Sequence, residues 1–292
     1  MVPEGHRDPL DHTLDGRSSA LSNPPWNEFV TFRLEKWFLD VLGTQGDLSI
    51  IYAADVAFAG VRVGVNALTE YTTGEGVSDH SSLVGARLPE RTKDGVRWSN
   101  DRLLAEGLWQ GFRGAFPERT LYAADGKSIR WECVAPAAAA QVSTPRGIFT
   151  GTGYVERLQL TLEPWRLPIS TLRWGRFSTG ARSVVWIQWR GAHPIDLVIV
   201  DGVERSAVAI DEHHVTWENG AIRLQSPRTL RDAPIGTGAL SWIPRLANAL
   251  SIPLLKVHET KWLSAATLED GTEPDTREDG FALHELVRFP AM

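Results

Sequence analysis

The 292-residue sequence is poor in several features that mark whole classes of protein. It has one cysteine, Cys133, so no intramolecular disulfide can form, which fits a reducing cytoplasm. No apolar run approaches the roughly 20 residues that a membrane-spanning helix needs. The polar residues 1–25 lack the apolar segment of a secretory signal. We therefore expect a cytoplasmic protein without a transmembrane segment.

Basic residues are outnumbered by acidic ones, and the net charge is −6. This balance disfavours a nucleic-acid partner, because phosphate contacts need a basic surface. No glycine-rich phosphate loop follows a strand and opens a helix. The adjacent His213 and His214 point to opposite faces of a strand, and no second cysteine can complete a zinc site. The sequence therefore predicts no nucleic acid, no metal and no cofactor.

Helical patterns are also scarce, whereas strand patterns dominate. Short runs rich in Val, Ile, Trp and Thr are separated by turns, and Asp-Gly or Asn-Gly hairpin pairs occur at 125–126, 201–202 and 219–220. Residues 243–256 fit a short helix, and residues 168–173 fit a single helical turn. This pattern predicts an all-β protein made of antiparallel barrels or sandwiches.

The length suggests more than one domain. A non-strand segment, Pro164–Gly175, lies near the middle and is the expected connection. We predict a flexible arm at 1–24, an N-terminal barrel at 25–168 and a C-terminal barrel at 169–292, which together form a monomer or a homodimer.

A carboxylate on an apolar strand face is the most informative local feature. Residues 151–163 alternate, which places Glu156 on the apolar face, two residues after Tyr154. The opposite face, which begins at Val155, is expected to be wet. Burying a carboxylate costs several kcal/mol unless it is paired, hydrogen-bonded or protonated. Glu156 is therefore either functional, or paired with Arg176 or Arg173, or turned outward by a shift in register.

Two further acids sit among apolar neighbours. Glu285 interrupts the face formed by Phe281, Leu283, Val287 and Phe289, and Asp55 is flanked by alanines. A buried carboxyl has a raised pKa and can hold or return a proton near neutral pH. Glu285 and Asp55 are therefore candidate substrate-binding residues.

The aromatic composition is uneven, with twelve tryptophans and four tyrosines. Most such side chains pack cores, but aromatic side chains also line pockets for flat or unsaturated ligands. The expected pocket draws on Trp37, Tyr52, Trp109, Trp174 and Trp186.

Two segments resemble the carotenoid 1,2-hydratase (hydroxyneurosporene synthase) family and its lipocalin-like relatives. The first resembles that family's Glu-Trp-Trp-Tyr-Phe-Asp strand, which is represented here by Glu35, Trp37, Phe38 and Asp40, with Lys36 in place of a tryptophan. The second resembles its Gly-x-Gly-Tyr and Trp-Gly-Arg elements, represented here by Gly151, Gly153, Tyr154 and Trp174, Gly175, Arg176. Val155 and Glu156 replace the family's His-Asp pair.

The resemblance implies two tandem lipocalin-like barrels packed together, with a pocket for a hydrophobic ligand. It implies a cofactor-independent lyase, isomerase or cyclase acting on an unsaturated isoprenoid or polyketide-like molecule. Glu156 would transfer the proton, Tyr154 would orient Glu156 or the substrate, and Arg176 would bind a substrate oxygen or neutralise Glu156. The alternative is a carrier that binds a hydrophobic small molecule without chemistry. A third hypothesis is a structural or interaction protein whose tryptophans are core.

Overall fold

The structure, a computed structural model, describes residues 32–58, 60–235, 257–271 and 277–290. The predicted arm at 1–24 and the predicted helix at 243–256 lie outside these residues. The described chain forms two antiparallel sheets, and its one helical element is a short 3₁₀ turn, Pro164–Arg166. This turn lies in the connection between the last strand of the first sheet and the first strand of the second.

The first sheet contains ten strands. They are β1 (Phe32–Leu42), β2 (Leu48–Phe58), β3 (Val61–Thr72), β4 (Gly76–Ser82), β5 (Glu90–Thr92), β6 (Gly95–Asn100), β7 (Ala105–Arg113), β8 (Phe116–Ala124), β9 (Lys127–Thr144) and β10 (Gly147–Leu160).

The second sheet contains nine strands. They are β11 (Ile169–Ser178), β12 (Ser183–Gly191), β13 (Ile195–Val200), β14 (Val203–Arg205), β15 (Ala207–Ile210), β16 (His214–Trp217), β17 (Gly220–Pro234), β18 (His258–Asp270) and β19 (Arg277–Arg288).

The two sheets share one topology, except that the first has an additional strand, β8, which pairs with β9. In each, the first four strands form a meander, and the last strand returns to pair with the first, as β10 pairs with β1 and β19 pairs with β11. The outer strands are consecutive in the chain in both sheets: β4 and β5, and β14 and β15. Because short connections hold these edges close, each sheet curls into a nearly closed barrel. The prediction of two tandem lipocalin-like barrels with little helix is confirmed.

The apolar core has three parts. One cluster consists of residues of the first barrel alone, including Trp37, Trp98 and Trp109, and fills its interior. A second, including Trp186 and Trp217, fills the interior of the second barrel. The largest cluster draws on both barrels and forms the interface between them. The strands at this interface are therefore buried on both faces.

Burial on both faces corrects one expectation for β10. Tyr154 and Glu156 face the interface, as the alternation predicts, but Val155 is not wet: it is fully buried inside the first barrel. Further along, Arg157 and Gln159 are half-buried and Thr161 is exposed. Alternation separates the two faces of a strand, but it cannot tell a barrel interior from solvent on the second face.

Two glycines of the recognised motifs make room for tryptophans. A Cβ on Gly153 would lie 2.4 Å from Trp109 Cδ1, and one on Gly175 would lie 2.2 Å from Trp186 Cζ2. Each glycine therefore lets an indole pack directly against the strand backbone inside its barrel. These equivalent contacts are a further feature common to the two barrels.

Candidate functional site

A cavity of about 610 Å³ lies between the barrels. Its size is typical of sites for small organic ligands. Most of its lining is apolar, with a smaller set of polar and aromatic side chains. From the first barrel these include Lys36, Tyr52, Trp131 and Glu156, and from the second Trp174, Trp189, Glu259, Lys261 and Glu285.

Glu156 is the centre of a compact group of hydrogen-bond donors. Its Oε2 accepts a hydrogen bond from Trp131 Nε1 at 2.6 Å, from the Tyr154 hydroxyl at 2.8 Å and from Trp174 Nε1 at 3.1 Å. Trp131 and Tyr154 belong to the first barrel and Trp174 to the second. Glu156 itself is 8% exposed. One carboxylate oxygen is therefore fixed by three neutral donors from both barrels.

The second carboxylate oxygen of Glu156, Oε1, is the one available to a ligand. Among the described residues, Oε1 accepts no hydrogen bond, and no arginine or lysine lies within ion-pair distance of the carboxylate, although Glu156 lines the cavity. With Oε2 fully engaged, Oε1 is the atom through which a ligand can exchange a proton with this side chain.

Strand register brings this group together. In β1–β10 pairing, Phe38 lies opposite Glu156, and in β9–β10 pairing Trp131 lies opposite Leu158, diagonal to Glu156. The register of β10 against β9 shifts at Val155, so an irregularity in the ladder lies next to Glu156. Bulges commonly redirect side chains near functional sites.

Tyr154 and its neighbour Cys133 are held in their neutral forms. Burial, together with the nearby Cys133 and Glu156, raises the pKa of Tyr154 well above its ordinary value. Burial, together with the charge of Glu156, likewise raises the pKa of Cys133. The Tyr154 hydroxyl is therefore a permanent donor to Glu156, and Cys133 is a buried thiol with little thiolate character.

Arg176 pairs with Asp40 rather than with Glu156. Its Nε donates to Asp40 Oδ2 at 2.7 Å and its Nη2 to Asp40 Oδ1 at 2.5 Å, while Nη1 donates to Ser178 Oγ at 2.7 Å. Both members of this ion pair are fully buried, and neither lines the cavity. The pair links β1 of the first barrel to β11 of the second. The ion pair between Arg176 and Glu156, one of the alternatives that the sequence left open, is therefore not formed.

A second polar group lies on the wall contributed by the second barrel. Lys261 Nζ donates to Glu285 Oε2 and lies 3.0 Å from Glu259 Oε1. Burial raises the pKa of Glu285, whereas at Glu259 burial is outweighed by the charge of Lys261, hydrogen bonds with Glu285 and Lys261 and the charge of Lys36, which together lower the pKa to about 2. Lys261 also lies 5.5 Å from the centre of the Tyr52 ring. Two glutamates and one lysine thus form a largely self-neutralising cluster.

The expected pocket residues divide between this cavity and other places. Tyr52, Trp174 and Glu285 line the cavity together with Glu156. Trp37 and Trp109 lie in the interior of the first barrel and Trp186 in that of the second. Trp109 Nε1 donates to the Asp40 carbonyl oxygen at 2.6 Å.

Asp55 also lies away from the cavity. It accepts hydrogen bonds from Arg62 Nε at 2.9 Å, across the β2–β3 pairing. Asp55 therefore has a local arginine partner on the neighbouring strand, and its alanine neighbours did not reveal this partner.

Several polar and aromatic cavity residues were not among the predicted site residues, among them Lys36, Trp131, Glu259 and Lys261. A signal for two of them was present in β18, where Glu259 and Lys261 share a face with Leu263. The sequence signal for Lys36 was that it replaces a tryptophan in the first motif that resembles the hydratase family. Within the described ranges, no cluster of His, Cys, Asp and Glu is arranged to hold a metal ion.

No helix in the described part of the chain is both long and apolar enough to span a membrane.

Comparisons with known proteins place the fold but not the family. No protein-family model matches the sequence, and no curated protein is similar to it. Among solved structures, CghA with Sch210972 superposes with a TM-score of 0.55 at 10% identity, covering 89% of each chain. Kievitone hydratase from Nectria haematococca gives 0.50 at 7% identity, covering 87% of this chain and 88% of the hydratase. At these sequence identities the similarity shows a shared fold and no more.

Proposed function

We propose that the protein is a cofactor-independent lyase, isomerase or cyclase that acts on a hydrophobic, unsaturated isoprenoid or polyketide-like molecule in the cavity between its barrels. The observation that carries the proposal is the carboxyl group of Glu156. Three neutral donors fix one of its oxygens, and the other is left for a ligand. The shared fold supports this class of activity, because one protein with that fold is named as a hydratase and another is solved with a small molecule.

The chemistry begins with proton transfer at Glu156 Oε1. A proton delivered to one carbon of a double bond leaves positive charge on the next carbon. In a hydration, water adds to the positively charged carbon and then loses a proton. In an isomerisation, the cation loses a proton from a neighbouring carbon. In a ring closure, a second double bond of the same molecule attacks the cation, and the cyclic cation then loses a proton. The proton released in each case returns to the Glu156 carboxylate, so the cycle closes without a cofactor.

The surroundings of Glu156 favour this step in two ways. The rings of Trp131 and Trp174 adjoin the carboxylate, and aromatic faces stabilise nearby positive charge. Most of the other lining residues are apolar, which keeps the reacting carbon away from bulk water. Trp131, Tyr154 and Trp174 already direct their hydrogen-bond donors at Oε2, so they need not move when Glu156 has given up its proton.

The proposed function is tested with Glu156→Gln and a matched control. The control is Glu70→Gln, because Glu70 is also buried, accepts a hydrogen bond from Thr144 at 2.5 Å, and lies outside the cavity. Candidate substrates come from untargeted mass spectrometry of compounds that co-purify with the protein. Glu156→Gln should lower turnover by roughly 100-fold or more, and Glu70→Gln should leave it near the wild-type value.

Two results would contradict the proposal. Co-purifying compounds that bind but are never converted by the wild-type protein would favour the carrier function. Equal turnover by Glu156→Gln and wild type, measured per folded molecule, would remove Glu156 from the mechanism.

A further inference from the structure

Two lysines of the described chain line the cavity, and they differ in their partners. Lys261 is engaged by Glu285 and Glu259. Lys36, on β1, has its Nζ 5.1 Å from the centre of the Tyr52 ring, and among the described residues no carboxylate lies within ion-pair distance of it. No hydrogen-bond acceptor for Lys36 is found in that part of the chain either. Its ammonium group therefore lines the cavity with its donors unused by those residues.

Lys36 is placed close to Glu156. The β1–β10 register sets Phe38 opposite Glu156 and Lys36 opposite Leu158. Lys36 and Glu156 are thus diagonal neighbours on one sheet face, with Cβ atoms about 7 Å apart. One small functional group, with the carbon chain next to it, can reach both side chains.

The charge of Lys36 helps to lower the pKa of Glu259 and opposes the rise in the pKa of Glu285, but neither carboxylate accepts a hydrogen bond from it. A partly buried ammonium group without an acceptor has lost hydration that no hydrogen bond offsets. Lys36 shares its strand face with Leu34, and Leu158 lies across from it. A ligand oxygen at this position would form a charge-assisted hydrogen bond. The same bond would withdraw electrons from an adjoining double bond, which favours reaction there.

We propose that Lys36 binds a carbonyl or carboxylate oxygen of the substrate, beside the carbon with which Glu156 exchanges its proton. This inference rests on the proposed function and narrows its substrate. The substrate is then a hydrophobic molecule in which an oxygen acceptor is conjugated to, or adjoins, the reacting double bond. Lys36 acts as a substrate-binding residue.

Binding of three polyene probes tests this assignment. The probes are retinoic acid, its methyl ester and the parent hydrocarbon axerophthene, which present a carboxylate, a neutral carbonyl and no oxygen. Affinity is measured by quenching of tryptophan fluorescence in wild type, Lys36→Met and Lys36→Arg. Lys93→Met is the control, because Lys93 is exposed and lies outside the cavity. Thermal melting checks that each variant is folded.

Lys36→Met should weaken retinoic acid binding by roughly 10-fold to 100-fold, the scale of one charged hydrogen bond. Axerophthene binding should change by no more than about twofold, and Lys36→Arg should restore the affinity for the acid. A loss for the acid alone assigns carboxylate recognition, whereas a loss for acid and ester assigns carbonyl recognition. Lys93→Met should match wild type with all three probes.

Other results overturn the assignment. Unchanged acid affinity in Lys36→Met, or equal losses for the acid and the hydrocarbon, would remove Lys36 from ligand recognition and leave the role of Glu156 standing. Failure of the wild-type protein to bind any of the three probes would count against a hydrophobic ligand altogether, and so against the proposed function as well.

Discussion

Asp40 and Glu156 are buried carboxyl groups on neighbouring strands, and both contact Tyr154, yet their surroundings differ. The Tyr154 backbone N–H donates to Asp40 Oδ1 at 3.1 Å, and its hydroxyl donates to Glu156. Asp40 has a bidentate arginine partner from the other barrel and no access to the cavity. Glu156 has only neutral donors and an oxygen that faces the cavity.

This difference separates a structural acid from a functional one. A carboxylate whose two oxygens are both held by Arg176 has no capacity left for a ligand. A carboxyl that is held through one oxygen keeps its orientation and still offers the other. The two groups occupy the same interface, so the distinction lies in their partners and not in their burial.

The largest expected effect is on stability, from removal of Arg176. Arg176→Met leaves Asp40 buried without its cation, which should lower the free energy of unfolding by about 3–5 kcal/mol at neutral pH. The measurement is urea unfolding followed by tryptophan fluorescence. Combining Arg176→Met with Asp40→Asn should recover much of the loss. A double variant as unstable as Arg176→Met alone would show that the charge pair is not the cause.

The second expected effect is a pH dependence that comes from Asp40. Burial raises the pKa of Asp40 from 3.8 to about 6, although Arg176 opposes the rise. The folded state therefore binds the proton more tightly than the unfolded state. The stability that this carboxyl contributes is full below about pH 3.8 and is lost as the pH rises through about 6.

Asp40→Asn isolates this contribution. The unfolding free energy of wild type, relative to that of Asp40→Asn, should fall by about 3 kcal/mol between pH 3.5 and pH 7, since one pKa unit corresponds to about 1.4 kcal/mol. Urea unfolding of both proteins across this range measures the difference. Parallel stability curves for the two proteins would contradict the shifted titration of Asp40.

A smaller effect on stability is expected at Glu156 itself. The Glu156→Gln side chain has the same shape, and its amide oxygen can accept from the same three donors, so stability should change by about 1 kcal/mol or less. The melting temperatures of wild type, Glu156→Gln and the control Glu70→Gln measure this change. A loss as large as that of Arg176→Met would mean that Glu156 has a structural role comparable to that of Asp40.

The smallest expected effect on turnover concerns Tyr154. Tyr154→Phe removes one of the three donors to Glu156 and keeps the backbone contact with Asp40. Turnover should fall by roughly tenfold, in line with about 1–1.5 kcal/mol for one hydrogen bond, while Asp40 and Arg176 stay paired. Activity equal to wild type would show that Trp131 and Trp174 suffice to hold Glu156.

Local signals were enough to predict an all-β protein of antiparallel barrels or sandwiches, and the choice of two lipocalin-like barrels came from the resemblance to the hydratase family. Alternation and hairpin pairs such as Asp125–Gly126 act over a few residues, and they are enough to predict antiparallel strands. Alternation also placed Glu156 and Tyr154 on one face. The barrels repeat one topology because in each of them the last strand pairs with the first.

The position of the cavity depends on contacts between distant parts of the chain, which local patterns do not encode. Trp37, Trp109 and Trp186 fit the composition of an aromatic pocket, but they lie on strand faces that point into the barrels. Arg176 meets Asp40 across 136 positions of the chain. Only the packing of one barrel on the other decides which faces meet.

The most direct test of the account is solvent labelling during turnover. A substrate identified from the co-purifying compounds is converted in a single turnover by an excess of wild type, Glu156→Gln or Glu70→Gln that has been equilibrated in D₂O, and mass spectrometry follows the product. The account predicts one solvent-derived deuterium on carbon in the wild-type and Glu70→Gln products, and at least a roughly 100-fold slower reaction with Glu156→Gln. An unlabelled product, or a labelled product formed by Glu156→Gln at the wild-type rate, would contradict the assignment of proton transfer to Glu156.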